Sequence, residues 1–420
     1  MISSKEGKSK RAKYAVRMKS NLESVLADLK EWASVFDVSW YLIIRFTGKE
    51  FDRELQPIAT EEMGPLSTLK TLRAAISSNV SSDEEMWKTT VFLPEKLFTA
   101  NHEEIENSGA ELWLARDAGE NIRYIVDQPS SMSTLSDMCK LAKIFRKIDP
   151  HSFGILRCEG LVNAPPVENE STSNRFAFTI PHNLKEPHSL RTFLLSKTQS
   201  HPLDDRFNLS KQLAKAVMFI HSAGFVHKNI RPEIILLFHS KEFDKHSLFA
   251  FLIGFESFRL AEGNTRHRGD AFWERNIYRH PTRQGIQPEE DYVMQHDIYS
   301  LGVCLLEIGM GDSLVLYRVG EKETEPMPNQ ILFSGTNISA TKDRRKKAFE
   351  TKRALVQLAQ DLLPYRMGCR YTEIVITCLT CLDKGENSFG DGEDFLDENG
   401  VLVGVRFIEK IVNKLLDIKV

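Results

Sequence analysis

The chain has 420 residues, 41% hydrophobic and 27% charged, with 55 Lys and Arg against 58 Asp and Glu for a net charge of −3. This composition excludes a disordered or collagenous chain, and without a basic excess nucleic acid is not expected as a partner. Six cysteines are too few for a disulfide scaffold, which points to a reducing, cytoplasmic setting, and the longest apolar runs, Trp40-Tyr41-Leu42-Ile43-Ile44 and Leu301–Ile308, fall well short of the roughly 20 residues that a membrane helix needs.

Met1-Ile2-Ser3-Ser4-Lys5 leads into a charged stretch rather than the apolar core of a signal peptide. Residues 12–36 carry Leu22, Val25, Leu26, Leu29, Trp32, Ala33 and Phe36 at the spacing of one helix face. Basic residues from Lys5 to Lys19 precede that face; they offer a contact for acidic lipid or an acidic partner, or simply a solvated surface. A second helix is predicted near Leu66–Ile76, and Ser77–Glu85 has the composition of a linker. Glu111–Arg116 and Ile122–Val126 have strand character, with Ala118-Gly119-Glu120-Asn121 as the turn between them. Leu135–Ile148 has helical periodicity, and Gly154–Val162 and Arg175–Ile180 read as strands. After Pro181 come helices at Leu190–Leu195 and Asp204–Ser222, then strands at Ile234–Phe238 and Leu248–Ile253, then mostly helices. Glu321–Gln330 and the acidic Asp391–Gly400 read as loops, the latter without the residue order of a calcium loop.

The chemistry concentrates in His227-Lys228-Asn229-Ile230-Arg231-Pro232-Glu233-Ile234, just after the long helix. Gly254-Phe255-Glu256, Tyr278-Arg279-His280-Pro281 and Asp297-Ile298-Tyr299-Ser300-Leu301-Gly302 follow in order. These segments resemble the catalytic loop, the D-F-G motif, the A-P-E motif and the D-x-W-S-x-G helix of eukaryotic protein kinases. The resemblance covers roughly residues 105–415. More narrowly, the chain resembles fungal kinase-like domains joined to HeLo-type prion-inhibition and propagation domains. It implies an α+β, two-lobed kinase-like fold. The domains would be a helical extension over 1–104 with partial HeLo-like helices, a small lobe over 105–182 and a large helical lobe over 183–420.

Carried onto this sequence, the resemblance implies lost chemistry. Asn229 stands where a carboxylate would accept the substrate proton, a role worth roughly 10²–10⁴ in rate that an amide cannot fill. Ile234 and Gly254 stand where two magnesium ligands would be, and neither has a donor atom. Gln128 is placed at the strand lysine. Leu135–Ile148 offers Asp137 but no glutamate to pair with it, and Gly109 and Gly119 are isolated rather than part of a G-x-G-x-x-G loop. What remains is structural. His227 and Phe255 would stack between the lobes, Asp297 would hold the catalytic-loop backbone, Arg231 would keep a cation in the cleft and Lys228 would face the activation segment. Thr282 replaces a glutamate that in the family pairs with a late arginine, for which Arg370 is the candidate.

The expectation is a pseudokinase acting as a binding or regulatory module toward a protein partner, with no metal and at most weak ATP binding at Gln128 and Arg231. One alternative is an atypical kinase that recruits Glu233 or Glu256, decided by whether either carboxylate points at Asn229. Another is a truncated HeLo-type membrane-active effector. Cys378-Leu379-Thr380-Cys381 has no second pair for zinc and reads as buried thiols. Arg344-Arg345-Lys346-Lys347 reads as a solvated helix start.

Overall fold

The computed structural model describes residues 91–419, apart from 95–97, 118–119, 129–132, 164–173, 197–201, 242–247, 261–268, 320–323, 334–342, 386–387 and 391–400, and before residue 91 only Arg53, Lys70 and Arg73. The helices expected over 12–36 and 66–76, the linker at 77–85 and the acidic loop at 391–400 lie outside the described residues.

The chain is α+β. Strands β1 (Phe98–Glu104), β2 (Glu111–Asp117) and β3 (Glu120–Val126) run into helix α1 (Leu135–Phe145), a short α2 (Pro150–Phe153), β4 (Cys158–Asn163) and β5 (Asn174–Thr179). The five strands form one sheet in the order β1-β2-β3-β5-β4. Every pair is antiparallel, with Glu111 opposite Val126 and Tyr124 opposite Thr179 as register marks. Thr134 caps α1 by accepting from the Asp137 N–H, with Asp137 in the first turn and Lys143 in the last, as the helix dipole favours. The helix buries Met138, Leu141, Ile144 and Phe145 in the main hydrophobic core.

A second unit follows: β6 (Leu184–Ser189), α3 (Leu190–Leu195), α4 (Leu203–Ser222), β7 (Phe225–Val226), β8 (Ile235–Ser240), β9 (Leu248–Leu252) and β10 (Arg259–Leu260). Beyond these lie α5 (Trp273–Asn276), α6 (Met294–Met310), β11 (Val315–Val319), β12 (Thr324–Pro328), α7 (Gln330–Phe333), α8 (Arg344–Met367), α9 (Cys369–Leu379), α10 (Val401–Phe407), a π-helical turn at Ile408–Val412 and α11 (Asn413–Leu416). Helix α6 is buried along almost its whole length. Gly302 lets α9 approach it, since a Cβ there would lie 2.5 Å from Cys378 Cβ. All six cysteines are free and all but Cys369 are buried, Cys378 and Cys381 included. Among the described residues no helix is long and apolar enough to cross a membrane.

Three sequence expectations need correction. The sheet begins before residue 105, because β1 pairs with β2 and Phe92 bridges to Leu161, so a boundary at 104 would cut the sheet. Leu184–Ser189 is a strand on β8 rather than the start of helical structure. Part of the loop expected at 321–330 is β12, which pairs with β11 from Val315 opposite Pro328 to Val319 opposite Thr324.

Candidate functional site

The segment His227–Ile234 leaves β7 and is fixed from below by Asp297 in the first turn of α6. Fully buried, Asp297 accepts from the N–H groups of His227 (2.7 Å) and Lys228 (2.9 Å), from the Tyr292 hydroxyl (2.6 Å) and from His221 Nε2 (3.1 Å). Lys228 adopts φ +68°, which turns two consecutive N–H groups toward one carboxylate. Burial alone would raise the Asp297 pKa, but the His221 bond and charge, His227 and Tyr292 hold it down at about 2. Burial pushes His227 to about 4. Its Nε2 lies 2.9 Å from the Ile253 carbonyl, which can only accept, so Nε2 carries the proton of the neutral ring. The ring packs against Phe255 at 4.8 Å, and Phe255 in turn meets Phe145 at 4.9 Å and Phe176 at 6.0 Å. These contacts join α1 and the five-stranded sheet to the helical unit.

Above this support lies a polar cluster of different character. Asn229 accepts from Arg231, and its Nδ2 donates to Glu256 Oε1 at 2.5 Å. Of the two carboxylates weighed in the sequence, Glu256 therefore reaches Asn229. Glu233 turns away, accepting from Arg191 Nε (3.1 Å) and the Tyr317 hydroxyl (3.1 Å) and pairing with Arg231 at 3.4 Å. Ile234 is fully buried, and Gly254 has φ +83°. A Cβ on Gly254 would stand 2.5 Å from Ile234 Cγ2 and 2.6 Å from its Cβ. The Ile234 side chain thus occupies the space that a side chain at 254 would need.

Gln128, placed at the strand-lysine position by the sequence, is exposed. Its buried neighbour Asp127, directly after β3, faces inward instead. Asp127 Oδ2 accepts from the N–H groups of Gly254 (2.9 Å) and Phe255 (2.8 Å), and Oδ1 accepts from Gln128 (3.0 Å). Burial first, then the nearby Glu256 charge, push Asp127 up to about 7, while the backbone donors pull the other way. Burial also raises Glu256, against the charge of Arg231. Gln128, the residue named from the sequence, therefore lies one position beyond the inward-facing side chain, which is an acid. Lys228 lies 5.7 Å over the Tyr292 ring, and burial with Arg259 and Arg283 nearby lowers it to about 8.

A buried node missed in the sequence lies beside this cluster and shares Glu233 with Arg231. Arg191 of α3 donates to Glu233, to Glu307 of α6 (3.1 Å), to the Tyr278 hydroxyl (2.6 Å) and to Ser313. Two sequence signals could have found it: an arginine inside the otherwise apolar Leu190–Leu195 helix, and Glu307 inside the apolar run Leu301–Ile308. Charges in such runs are kept only when paired. Arg370, named as the late arginine, is exposed at the start of α9 and takes no part in a buried pair. Thr282 instead faces His280 (2.9 Å), and a buried cation in that region is Lys352 of α8, bonded to Asp383 and 3.4 Å from His280 Nε2. Among the described residues no group of three or more His, Cys, Asp and Glu is arranged to hold a metal ion. A cavity of about 380 Å³ lies away from Asn229, between Asp204, Phe207 and Lys211 of α4 and Leu416 and Ile418 near the end of the described chain.

No protein-family model matches the chain, and no curated protein matches it.

Proposed function

We propose that the chain is a catalytically inactive, protein kinase-like domain that works as a binding or regulatory module toward another protein. The interlock of Ile234 with Gly254 carries this reading. It puts hydrocarbon where the kinase resemblance would need a metal-binding carboxylate, and a donor at 254 has no room beside it. Further support comes from the sheet order β1-β2-β3-β5-β4 with α1 packed on it, and from His227, Phe255 and Asp297 meeting as the resemblance implies. Asp127 at the end of β3 adds an acid where phosphates would need a cation. An atypical kinase is the second reading, favoured by one observation, the Glu256 carboxylate on Asn229. In that arrangement the carboxylate is already engaged by the amide it would have to replace.

Thermal melting with ATP, with and without magnesium, separates the two readings. The inactive reading expects no magnesium-dependent shift. A magnesium-dependent rise of several degrees would overturn it in favour of the kinase.

A further inference from the structure

Strand β6 is the edge of the three-stranded sheet β6-β8-β9, and it carries a bulge. Its register on β8 runs from Lys185 opposite His239 to His188 opposite Leu237, three steps along β6 against two along β8. Side chains alternate between the two faces of a strand. In an unbroken register Lys185 and Pro187 would share a face with His239, and His188 would lie on the other. The extra residue reverses this and brings His188 onto the face of Leu237 and His239. Glu186 within the bulge holds φ +56°, a left-handed conformation that costs energy in a non-glycine residue and persists only where its surroundings impose it.

The bulge makes two imidazoles meet. The His188 and His239 rings lie 5.3 Å apart between centroids and 23° from parallel, and both residues are half-buried. His188 Nδ1 lies 3.3 Å from the Glu186 carbonyl oxygen, which can only accept. Nδ1 therefore carries the proton of the neutral ring, and Nε2 keeps its lone pair. A backbone carbonyl behind one ring nitrogen is the arrangement that fixes the tautomer and orientation of a metal-binding histidine. Burial lowers the His188 pKa against the pull of the Glu186 carbonyl, and the neighbouring His239 lowers it further. The neutral ring that a metal requires is favoured in this way.

We propose that His188 and His239 form a cross-strand clip for a divalent transition-metal ion, Zn²⁺ or Cu²⁺, with water completing the coordination shell. Imidazole nitrogen suits these ions, whereas magnesium and calcium take oxygen ligands. The χ2 torsion of histidine is broad, so a turn of the His239 ring aims one nitrogen from each strand at a single ion, at the roughly 2.0–2.1 Å of a zinc–nitrogen bond. A bound ion would tie the edge strand β6 to β8 directly before Ser189, the residue that caps α3 by accepting from the Thr192 N–H. It would thereby fix the segment through which the chain enters the helical unit. The clip does not depend on the reading of residues 227–256, and its test contains no nucleotide, so either proposal can fail alone.

Calorimetric titration of the whole, tag-free chain with zinc chloride tests the clip, with magnesium chloride as the hard-cation control. Zinc should bind, and magnesium should give no heat of binding at this site. His188→Gln and His239→Gln each remove one imidazole and keep a polar side chain. Each should weaken zinc binding about tenfold or more, since even the loss of a group behind a ligand costs about 10–100-fold. His102→Gln, which changes an exposed histidine of the five-stranded sheet, should leave the affinity unchanged. An unmodified protein that takes up no zinc would overturn the clip. So would zinc binding that either His188→Gln or His239→Gln leaves unchanged. Should a variant not fold, diethyl pyrocarbonate labelling of the unmodified protein, read by mass spectrometry, decides the matter. Zinc should slow the labelling of His188 and His239, and equal labelling with and without zinc would overturn the assignment.

Discussion

Asp297 and Asp127 each take two consecutive backbone N–H groups on one carboxylate, and in each grip one of the two residues has positive φ, Lys228 at +68° and Gly254 at +83°. Their surroundings differ. Asp297 also has His221 and the Tyr292 hydroxyl, and its pKa is held near 2. Asp127 has backbone donors and faces Glu256, and its pKa is driven to about 7. Burial penalises both charges, so the outcome turns on the company each carboxylate keeps. The first grip is a support that stays ionised at neutral pH. The second is a tie between the sheet and the helical unit whose charge is disfavoured by burial and by Glu256.

Removing Asp297 is the harshest test of that difference. Asp297→Ala strands four donors in a dry site and is expected to cost about 3–5 kcal/mol, or to prevent folding. Asn229→Ala, a few residues along the same loop, should cost only about 1 kcal/mol, because Arg231 and Glu256 can then meet directly. Equal losses in chemical denaturation would show that the loop is not supported from Asp297.

Gly254→Asp should come next, at about 3 kcal/mol, from the positive φ and the collision with Ile234. Ile234→Ala alone should cost about 2–4 kcal/mol as a cavity mutation. Because the two residues compete for one volume, the double variant should be no less stable than Gly254→Asp alone. Additive losses in this cycle would break the interlock and with it the main support for the inactive reading.

The smallest effect is on pH dependence. An acid with a raised folded-state pKa contributes stability that is present below its ordinary value, 3.8 for Asp127, and lost as pH rises through about 7. The stability of the unmodified protein relative to Asp127→Asn should therefore fall across that window, with Glu256 titrating in the same sense. Burial lowers His227, His280 and His296 to about 4, 2 and 3. These groups remove stability toward acid in both proteins and cancel in the difference. A difference that does not vary with pH would mean that Asp127 is as solvated as a surface acid.

Much of this was legible in the sequence for physical reasons. The helices at α1, α3 and α4 follow from apolar spacing, whereas the meeting of His227, Phe255 and Asp297 was implied only by the resemblance of their segments to kinase motifs. The elements that escaped notice lack a local signal. β1 has Phe98 as its only large apolar side chain, β6 contains Lys185, Glu186 and Pro187, and β12 contains two prolines. Their strand form comes from partners distant in sequence, which local propensity cannot report. Asp127 was missed by a single residue because strand ends are set by pairing, and whether residue 127 or 128 faces inward depends on where β3 stops.

The fit between Ile234 and Gly254 also limits how this chain can change. An aspartate at 254 would have to arrive while Ile234 still fills the space, and a smaller residue at 234 would first leave a void under the cleft. Each single step lowers stability. Two matched residues thus constrain each other, and a side chain at 254 calls for a change at 234 as well.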